Sequence, residues 1–216
     1  MGRLGMDGLI IGSGTITNYK KLERLVNKNN FIVCADGGVN HILKINRLPD
    51  IVLGDLDSIG TKELDVLKKN KIKIERFPVM KNKTDMELCV DFLLGKNCKN
   101  IGIVGATGTR LDHTISNLFL LQKIYKEGVK ASIFDDNNKV SYTEDSIGLN
   151  KADNTYVSIV PLDNSGAVVS LEGLLYPLRH EKIDFASTFG VSNELVGEKG
   201  KIIVHEGSVL VIESKD

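Results

Sequence analysis

The sequence has no tryptophan, only three cysteines and four prolines, and no excess of charge of either sign. The cysteines, Cys34, Cys89 and Cys98, form no C-x-x-C pair, which argues against a disulfide framework and a structural zinc site. Lysine plus arginine and aspartate plus glutamate each total 28, so no net field draws the molecule to nucleic acid. Any anionic ligand must therefore be held by local features.

Long apolar runs are also missing. No stretch approaches the roughly 20 residues that a membrane-spanning helix requires, and the N-terminal region lacks the pattern of a secretory signal. We therefore expect no membrane segment, and the unpaired cysteines favour the reducing cytoplasm. The 216 residues, 42% of them hydrophobic, suffice for one large or two small globular domains.

The first part of the chain, over about 130 residues, alternates short apolar runs with amphipathic stretches, a pattern typical of α/β folds. A mostly parallel sheet flanked by helices is therefore predicted for residues 1–135. The six predicted strands are Gly8–Ile11, Phe31–Ala35, Ile51–Leu53, Ile72–Phe77, Ile101–Val104 and Ala131–Phe134.

Two helices stand out between these strands. One is predicted from Thr84 to Leu94, where Thr84 and Glu87 would form a capping box at its start. The other is predicted from about Asp112 to Lys126. Its inward residues are expected to be Ile115, Leu118, Leu121 and Tyr125.

Beyond about residue 136 the helical pattern ends, and short strands broken by turn residues follow. Residues 136–216 are therefore predicted to form a small all-β sandwich, with the domain boundary in the polar cluster from Asp135 to Asn138. Glu206-Gly207 is interpreted as a hairpin turn. The plainest strands are Thr155–Pro161, Ala167–Leu171, Lys201–His205 and Ser208–Ile212.

Five aspartates follow a predicted strand or lie at the start of a predicted helix: Asp36, Asp55, Asp57, Asp85 and Asp112. In a parallel sheet these places gather at one edge, where ligands bind. In extended backbone Asp55 and Asp57 would point the same way, and carboxylate oxygens suit Mg²⁺. Two solvated loop acids would give the same pattern, and Asp85 equally fits an acid that stabilises a helix dipole.

Glycine-rich turns accompany these acids. Asp36 precedes Gly37-Gly38, a pair that permits tight turning next to a ligand. The run from Gly105 to His113, GATGTRLDH, can offer backbone N–H groups and hydroxyls to phosphate, with Arg110 as a charged clamp. It is not a Walker A motif. Gly12-Ser-Gly14 does not complete G-x-G-x-x-G and could simply turn the chain.

Together these segments resemble the thiamine pyrophosphokinase family. The likeness spans nearly the whole chain in the family's order, which makes it more specific than any single motif. The stretches that carry it are CADGG at Cys34–Gly38, PDIVLGDLDS at Pro49–Ser58, KTDMELCVDF at Lys83–Phe92, GATGTRLDHTISN at Gly105–Asn117, SLEGLLYPL at Ser170–Leu178 and GVSNE at Gly190–Glu194.

The resemblance implies a transferase that moves a pyrophosphoryl group from ATP to the hydroxyl of thiamine and releases AMP. It further implies a homodimer with thiamine where the subunits meet, an N-terminal catalytic domain and a C-terminal thiamine-binding and dimerisation domain. Asp55, Asp57 and Asp85 match the catalytic acids and magnesium ligands. The implied nucleotide side comprises Asp36, Gly37, Lys83, Thr84, Thr107, Arg110, Asp112 and Asn117, and the thiamine side Ser192 and Asn193.

Two other functions remain open on the sequence alone. One is a different magnesium-dependent phosphoryl-transfer enzyme, which would use the same acids. The other is a nucleotide- or thiamine-binding protein without turnover, although such a protein has little need for clustered carboxylates. For the aromatic residue that faces thiamine in the family, Tyr176 and Phe189 are the candidates.

Overall fold

The computed structural model describes residues 7–77 and 82–216. Over these residues the chain forms fourteen β-strands, five α-helices and a short 3-10 turn at Asp36–Gly38. It divides into two compact units, the first ending at Asp136 and the second beginning at Asn137. None of the described helices is long and apolar enough to cross a membrane.

The first unit is a parallel sheet with helices between its strands. The strands pair in the order β6-β5-β1-β2-β3-β4, and the pairings are parallel. The strands are β1 Asp7–Ile11, β2 Phe31–Ala35, β3 Ile51–Gly54, β4 Lys73–Arg76, β5 Asn100–Val104 and β6 Lys130–Phe134. The helices are α1 Tyr19–Lys28, α2 Val39–Lys44, α3 Thr61–Lys69, α4 Asp85–Gly95 and α5 Leu111–Lys126.

The order of the strands explains their composition. Right-handed crossovers put α1, α2 and α3 on one face of the sheet and α4 and α5 on the other. Strands covered on both faces read as continuous apolar runs, as FIVCA in β2 and IVLG in β3 do. Cys34, in β2, is a free and fully buried thiol, and burial raises its pKa far above the usual range. The α/β prediction is confirmed.

Helix α5 turns inward a face that is shifted from the predicted one. Leu121 is buried as expected and Leu118 and Tyr125 are half-buried, but Ile115 is 50% exposed, and the fully buried positions also include Asn117 and Ile124. The helix carries apolar residues on two faces, so their spacing did not reveal which face meets the sheet. Its outer face leaves Leu111, Ile115 and Phe119 exposed.

The second unit is a sandwich of two antiparallel sheets, as predicted. One sheet has the order β12-β9-β14-β7 and the other β11-β10-β13-β8, with an apolar core contributed by both. The strands are β7 Asn138–Thr143, β8 Ser146–Asn150, β9 Tyr156–Pro161, β10 Ala167–Glu172, β11 Leu178–Ile183, β12 Asn193–Glu194, β13 Lys199–Glu206 and β14 Val209–Ser214.

The predicted hairpin at Glu206-Gly207 is wrong. Gly207 does turn the chain, with φ of 78°, but β13 pairs with β10 and β8 whereas β14 pairs with β7 and β9. The turn therefore carries the chain from one sheet to the other. A glycine turn between two apolar strands looks the same in the sequence whether the strands pair in a hairpin or belong to different sheets. The sequence indicates only that the chain reverses its direction there.

Candidate active site

A cleft of about 550 Å³ opens at the carboxyl edge of the parallel sheet. Its walls are formed by the segments that follow β1, β2, β3 and β5, and by the start of α4. Strands β1 and β5 are neighbours in the sheet. The chain continues from β1 to β2 on one side and from β5 to β6 on the other, so it leaves the two strands in opposite directions. Ligands of open α/β sheets bind at such a switch point, and the volume suits a small molecule.

Three carboxylates converge in this cleft. Oxygen atoms of Asp36, Asp55 and Asp57 lie within 4.8 Å of one another. The Oδ1 atom of Asp36 is buried, and among the described residues no hydrogen-bond donor reaches it. Like charges so close together repel each other unless a cation lies among them. The oxygen ligands and the unsatisfied buried atom therefore fit a hard divalent cation such as Mg²⁺.

Unusual backbone angles bring these acids together. The segment after β3 is not extended as we expected, since Leu56 is left-handed, with φ of 71°, and its buried side chain anchors a turn. Asp57 N donates to Asp55 Oδ1 at 3.2 Å within that turn. A Cβ atom on Gly54 would lie 3.0 Å from Asp36 Cβ, so glycine permits the close approach.

Most of the predicted site residues line this one cleft. Asp85 enters it from the first turn of α4, behind Thr84, whose Oγ1 accepts from Glu87 N at 3.2 Å. The Glu87 carboxylate of the predicted capping box accepts from Lys123 Nζ at 2.9 Å. The predicted residues in the lining are Asp36, Asp55, Asp57, Thr84, Asp85, Thr107, Arg110 and Asn117.

Arg110 and Asp112 form an exposed pair at the N-terminal end of α5. Arg110 Nη2 lies 2.5 Å from Asp112 Oδ2, and Arg110 Nε lies 3.2 Å from Oδ1. The hydrogen bond raises the pKa of Arg110 and lowers that of Asp112. Arg110 lines the cleft whereas Asp112 does not, so Asp112 holds the guanidinium from outside.

Four further predicted residues are placed outside the lining. Lys83 Nζ pairs with Asp91 at 2.7 Å. Gly37 is buried behind the wall, where a Cβ atom would lie 3.2 Å from the Cβ atoms of Ser13 and Ser58. Ser192 and Asn193 belong to the second unit.

The loop Gly12-Ser13-Gly14, which the incomplete motif left undecided, lines the cleft with all three residues. Gly14 N donates to Gly105 O at 2.8 Å, and Thr15 N donates to Thr107 O at 2.9 Å. The loops after β1 and β5 are therefore joined backbone to backbone. The sequence signal was two glycines directly after a buried strand, which allow close backbone approach.

Asn117 supports the loop that follows β5. Its side chain is buried, and Nδ2 donates to Ala106 O at 2.8 Å. The amide nitrogen is thus engaged with the protein backbone. Asn117 shapes the floor of the cleft by fixing the loop that follows β5.

In the second unit, Asn193 holds the segment that carries Tyr176. Its buried Oδ1 accepts from Tyr176 N at 3.0 Å and from Glu194 N at 2.9 Å, while Nδ2 donates to Tyr176 O at 2.8 Å. Neighbouring Ser192 is left-handed, with φ of 60°, and its N donates to Ser158 Oγ. The Asn193 side chain is therefore a structural clamp for the exposed Tyr176.

Substituting Asn193 by alanine is expected to lower the free energy of unfolding by about 2–3 kcal/mol, because the buried amide and its three hydrogen bonds to partly buried backbone groups are lost. Chemical denaturation would measure this loss. Asn150→Ala, at an exposed asparagine of β8, serves as the control and should stay within about 0.5 kcal/mol of the wild type. Equal stabilities of the two variants would contradict the assigned clamp.

Two sequence models of known domains match the chain. The catalytic domain of thiamin pyrophosphokinase matches residues 22–133, and the vitamin B1 binding domain of thiamin pyrophosphokinase matches residues 144–209. The chain belongs to the thiamin pyrophosphokinase family. The catalytic-domain match includes Asp36, Asp55, Asp57 and Asp85, and the second match includes Asn193.

Two curated relatives match this chain over most of their own length. Thiamine pyrophosphokinase of Bacillus subtilis is 28% identical, and the match covers 96% of this chain and 98% of the relative. Thiamin pyrophosphokinase 1 of Caenorhabditis elegans is 29% identical, and the match covers 81% of this chain and 75% of the relative. The crystal structure of the Bacillus subtilis protein superposes with a TM-score of 0.87 over 97% of this chain and 99% of that one, at 27% identity. That from Geobacillus thermodenitrificans gives 0.84 over 98% of both, at 28% identity.

Proposed function

We propose that this protein transfers a pyrophosphoryl group from ATP to the hydroxyl of thiamine and so forms thiamine diphosphate and AMP. Membership of the family assigns this activity. The observation that carries it in the structure is the group of three carboxylates in a cleft at the switch point of the sheet. Residues 1–135 would be the catalytic domain and residues 136–216 the thiamine-binding and dimerisation domain.

We propose Asp55, Asp57 and Asp85 as magnesium ligands, and the position of Asp36 supports adding it to them. A bound Mg²⁺ would offset the negative charge of the phosphates beside these acids. The acids alone would repel a triphosphate, so the metal is obligatory in this proposal. The unpartnered Oδ1 of Asp36 supports the same site.

In the proposed reaction the thiamine hydroxyl oxygen attacks the β-phosphorus of ATP in line. The new O–P bond forms as the bond from the β-phosphorus to the α,β-bridging oxygen breaks, and AMP leaves. Asp57 or Asp85 would accept the hydroxyl proton. The joined loops after β1 and β5 would hold the phosphates, so positioning and charge compensation supply most of the catalysis.

For the thiamine side we propose Ser192 and Asn193, the latter through its hold on Tyr176. Tyr176 and Phe189 are 65% and 49% exposed, which supports them as candidates for contact with the thiamine ring. The exposed stripe Leu111, Ile115 and Phe119 on α5 supports a homodimer, since side chains four residues apart share one helix face. The free cysteines support a cytoplasmic location.

Product analysis tests the proposed function. Purified protein with ATP, Mg²⁺ and thiamine is expected to give equal amounts of AMP and thiamine diphosphate, and neither when thiamine or the metal is withheld. Chromatography of the nucleotides and vitamin forms measures both products. Formation of ADP or free phosphate would support the rival phosphoryl-transfer enzyme instead.

Arg110→Ala is expected to raise the KM for ATP by about three- to tenfold and to leave the KM for thiamine unchanged. The exposed guanidinium would turn from Asp112 to a phosphate, and the effect should shrink with added salt. Steady-state kinetics measure both constants. Arg24→Ala, at an exposed arginine of α1 outside the lining of the cleft, is the control and should leave both constants unchanged. An unchanged KM for ATP in Arg110→Ala would count against the role.

A further inference from the structure

His41, on α2, lies behind the loop Gly12–Gly14 and outside the lining of the cleft. Both of its ring nitrogens have partners: Nε2 lies 2.9 Å from Gly14 O, and Nδ1 lies 3.0 Å from the Tyr19 hydroxyl. Lys44 Nζ donates to the same hydroxyl oxygen at 3.1 Å. These contacts link α1 and α2 to the loop that forms one wall of the cleft.

The partners determine the state of the imidazole. A carbonyl oxygen can only accept, so Nε2 carries the proton and Nδ1 accepts from the Tyr19 hydroxyl. Burial is the main cause that lowers the pKa of His41, and the charge of Lys44 lowers it further, against the hydrogen bonds with the Gly14 and Ser13 carbonyls. At neutral pH the ring is therefore uncharged, and its two hydrogen bonds hold it in one orientation.

The peptide between Gly14 and Thr15 is held from two sides. Its N–H, that of Thr15, donates to Thr107 O, and its carbonyl, that of Gly14, accepts from His41. Because its N–H and its carbonyl are both hydrogen-bonded, this peptide is held with the carbonyl oxygen directed at His41 and not towards the cleft. That matters because a carbonyl presents negative charge, which a bound polyphosphate would repel.

We propose that His41 is a positioning residue for ATP, which keeps the Gly14 carbonyl turned away from the phosphates and so fixes the wall that Gly12–Gly14 forms. The inference rests on the proposed function, because it places ATP in the cleft. His41 thus affects the affinity for ATP without touching it. Other residues contact the thiamine hydroxyl and the reacting phosphorus.

Two substitutions at His41 distinguish the effect of its N–H donor from the effect of its ring shape. His41→Phe keeps a planar ring and removes the N–H, whereas His41→Gln keeps an N–H that can reach Gly14 O. We expect His41→Phe to raise the KM for ATP about tenfold, with kcat and the KM for thiamine within about twofold of the wild type. His41→Gln should restore the KM for ATP to within about threefold. Tyr19→Phe, which removes the hydroxyl that fixes the tautomer, should have a smaller effect of the same kind.

Calorimetric titration with ATP and Mg²⁺ gives the same comparison without turnover, so the inference can be judged even if the wild type makes no thiamine diphosphate. Absence of that product in the wild type would refute the proposed function alone. Equal ATP affinity of the wild type and a folded His41→Phe variant would overturn the role of His41. So would an equal loss of affinity in the glutamine variant, or ¹⁵N chemical shifts of His41 that place the proton on Nδ1.

Discussion

Asp55→Asn and Asp57→Asn are each expected to lower kcat by at least about a thousandfold, which corresponds to about 4 kcal/mol of transition-state stabilisation. Each change replaces a proposed metal ligand by a neutral amide of nearly the same shape. The fold should persist, because the loss of one negative charge relieves repulsion among carboxylates that lie within 4.8 Å of one another.

Single-turnover and steady-state kinetics of the two variants measure this loss. As a second readout, Mg²⁺ is expected to raise the Tm of the wild type, and this rise should disappear in both variants. Asp65→Asn, at an exposed aspartate of α3, is the matched control and should retain activity and the metal response. Near-normal turnover in both cleft variants would refute the proposed metal site.

Gly14→Ala is expected to raise the KM for ATP at least about a hundredfold, or about 2.7 kcal/mol in affinity. A Cβ atom at this position would lie 2.6 Å from Gly105 O and closer still to Thr107 O. Both atoms belong to the backbone, so the two loops that form the cleft would have to separate. A methyl group forced into such a space costs several kcal/mol.

Gly108→Ala provides the control for this substitution, because Gly108 lines the same cleft but a Cβ atom there would come no closer than 3.7 Å to its neighbours. We expect the control to bind ATP within about threefold of the wild type. Thermal denaturation establishes that both variants are folded. Similar ATP affinities of the two variants would show that the close contact between the loops is not needed for binding.

The sequence predicted the parallel sheet well because its strands are buried on both faces. All six predicted strands of the first unit form within two residues of their expected ends. The cluster of acids was also predictable in outline, since Asp36 and Asp55 directly follow such strands and parallel strands end at one edge. Those features depend on local apolar runs and on the order of the segments along the chain, and both can be read directly from the sequence.

Other features depend on contacts between segments that are distant in the sequence. The turn at Leu56 replaces an extended segment because a buried leucine anchors it, which local spacing does not reveal. The loop Gly12–Gly14 belongs to the cleft because its glycines meet the loop after β5. The inward face of α5 includes Asn117, whose side chain hydrogen-bonds to Ala106 O, whereas the apolar pattern of that helix favoured Ile115.

The central claim is that two phosphoryl groups move together from ATP to thiamine. ATP labelled separately at the β- or the γ-phosphorus tests it most directly, with thiamine diphosphate and the released nucleotide recovered from each reaction. Both labels are expected in thiamine diphosphate in equal yield, and the AMP should be unlabelled. Recovery of the γ-label alone on thiamine, with the β-label in ADP, would contradict it.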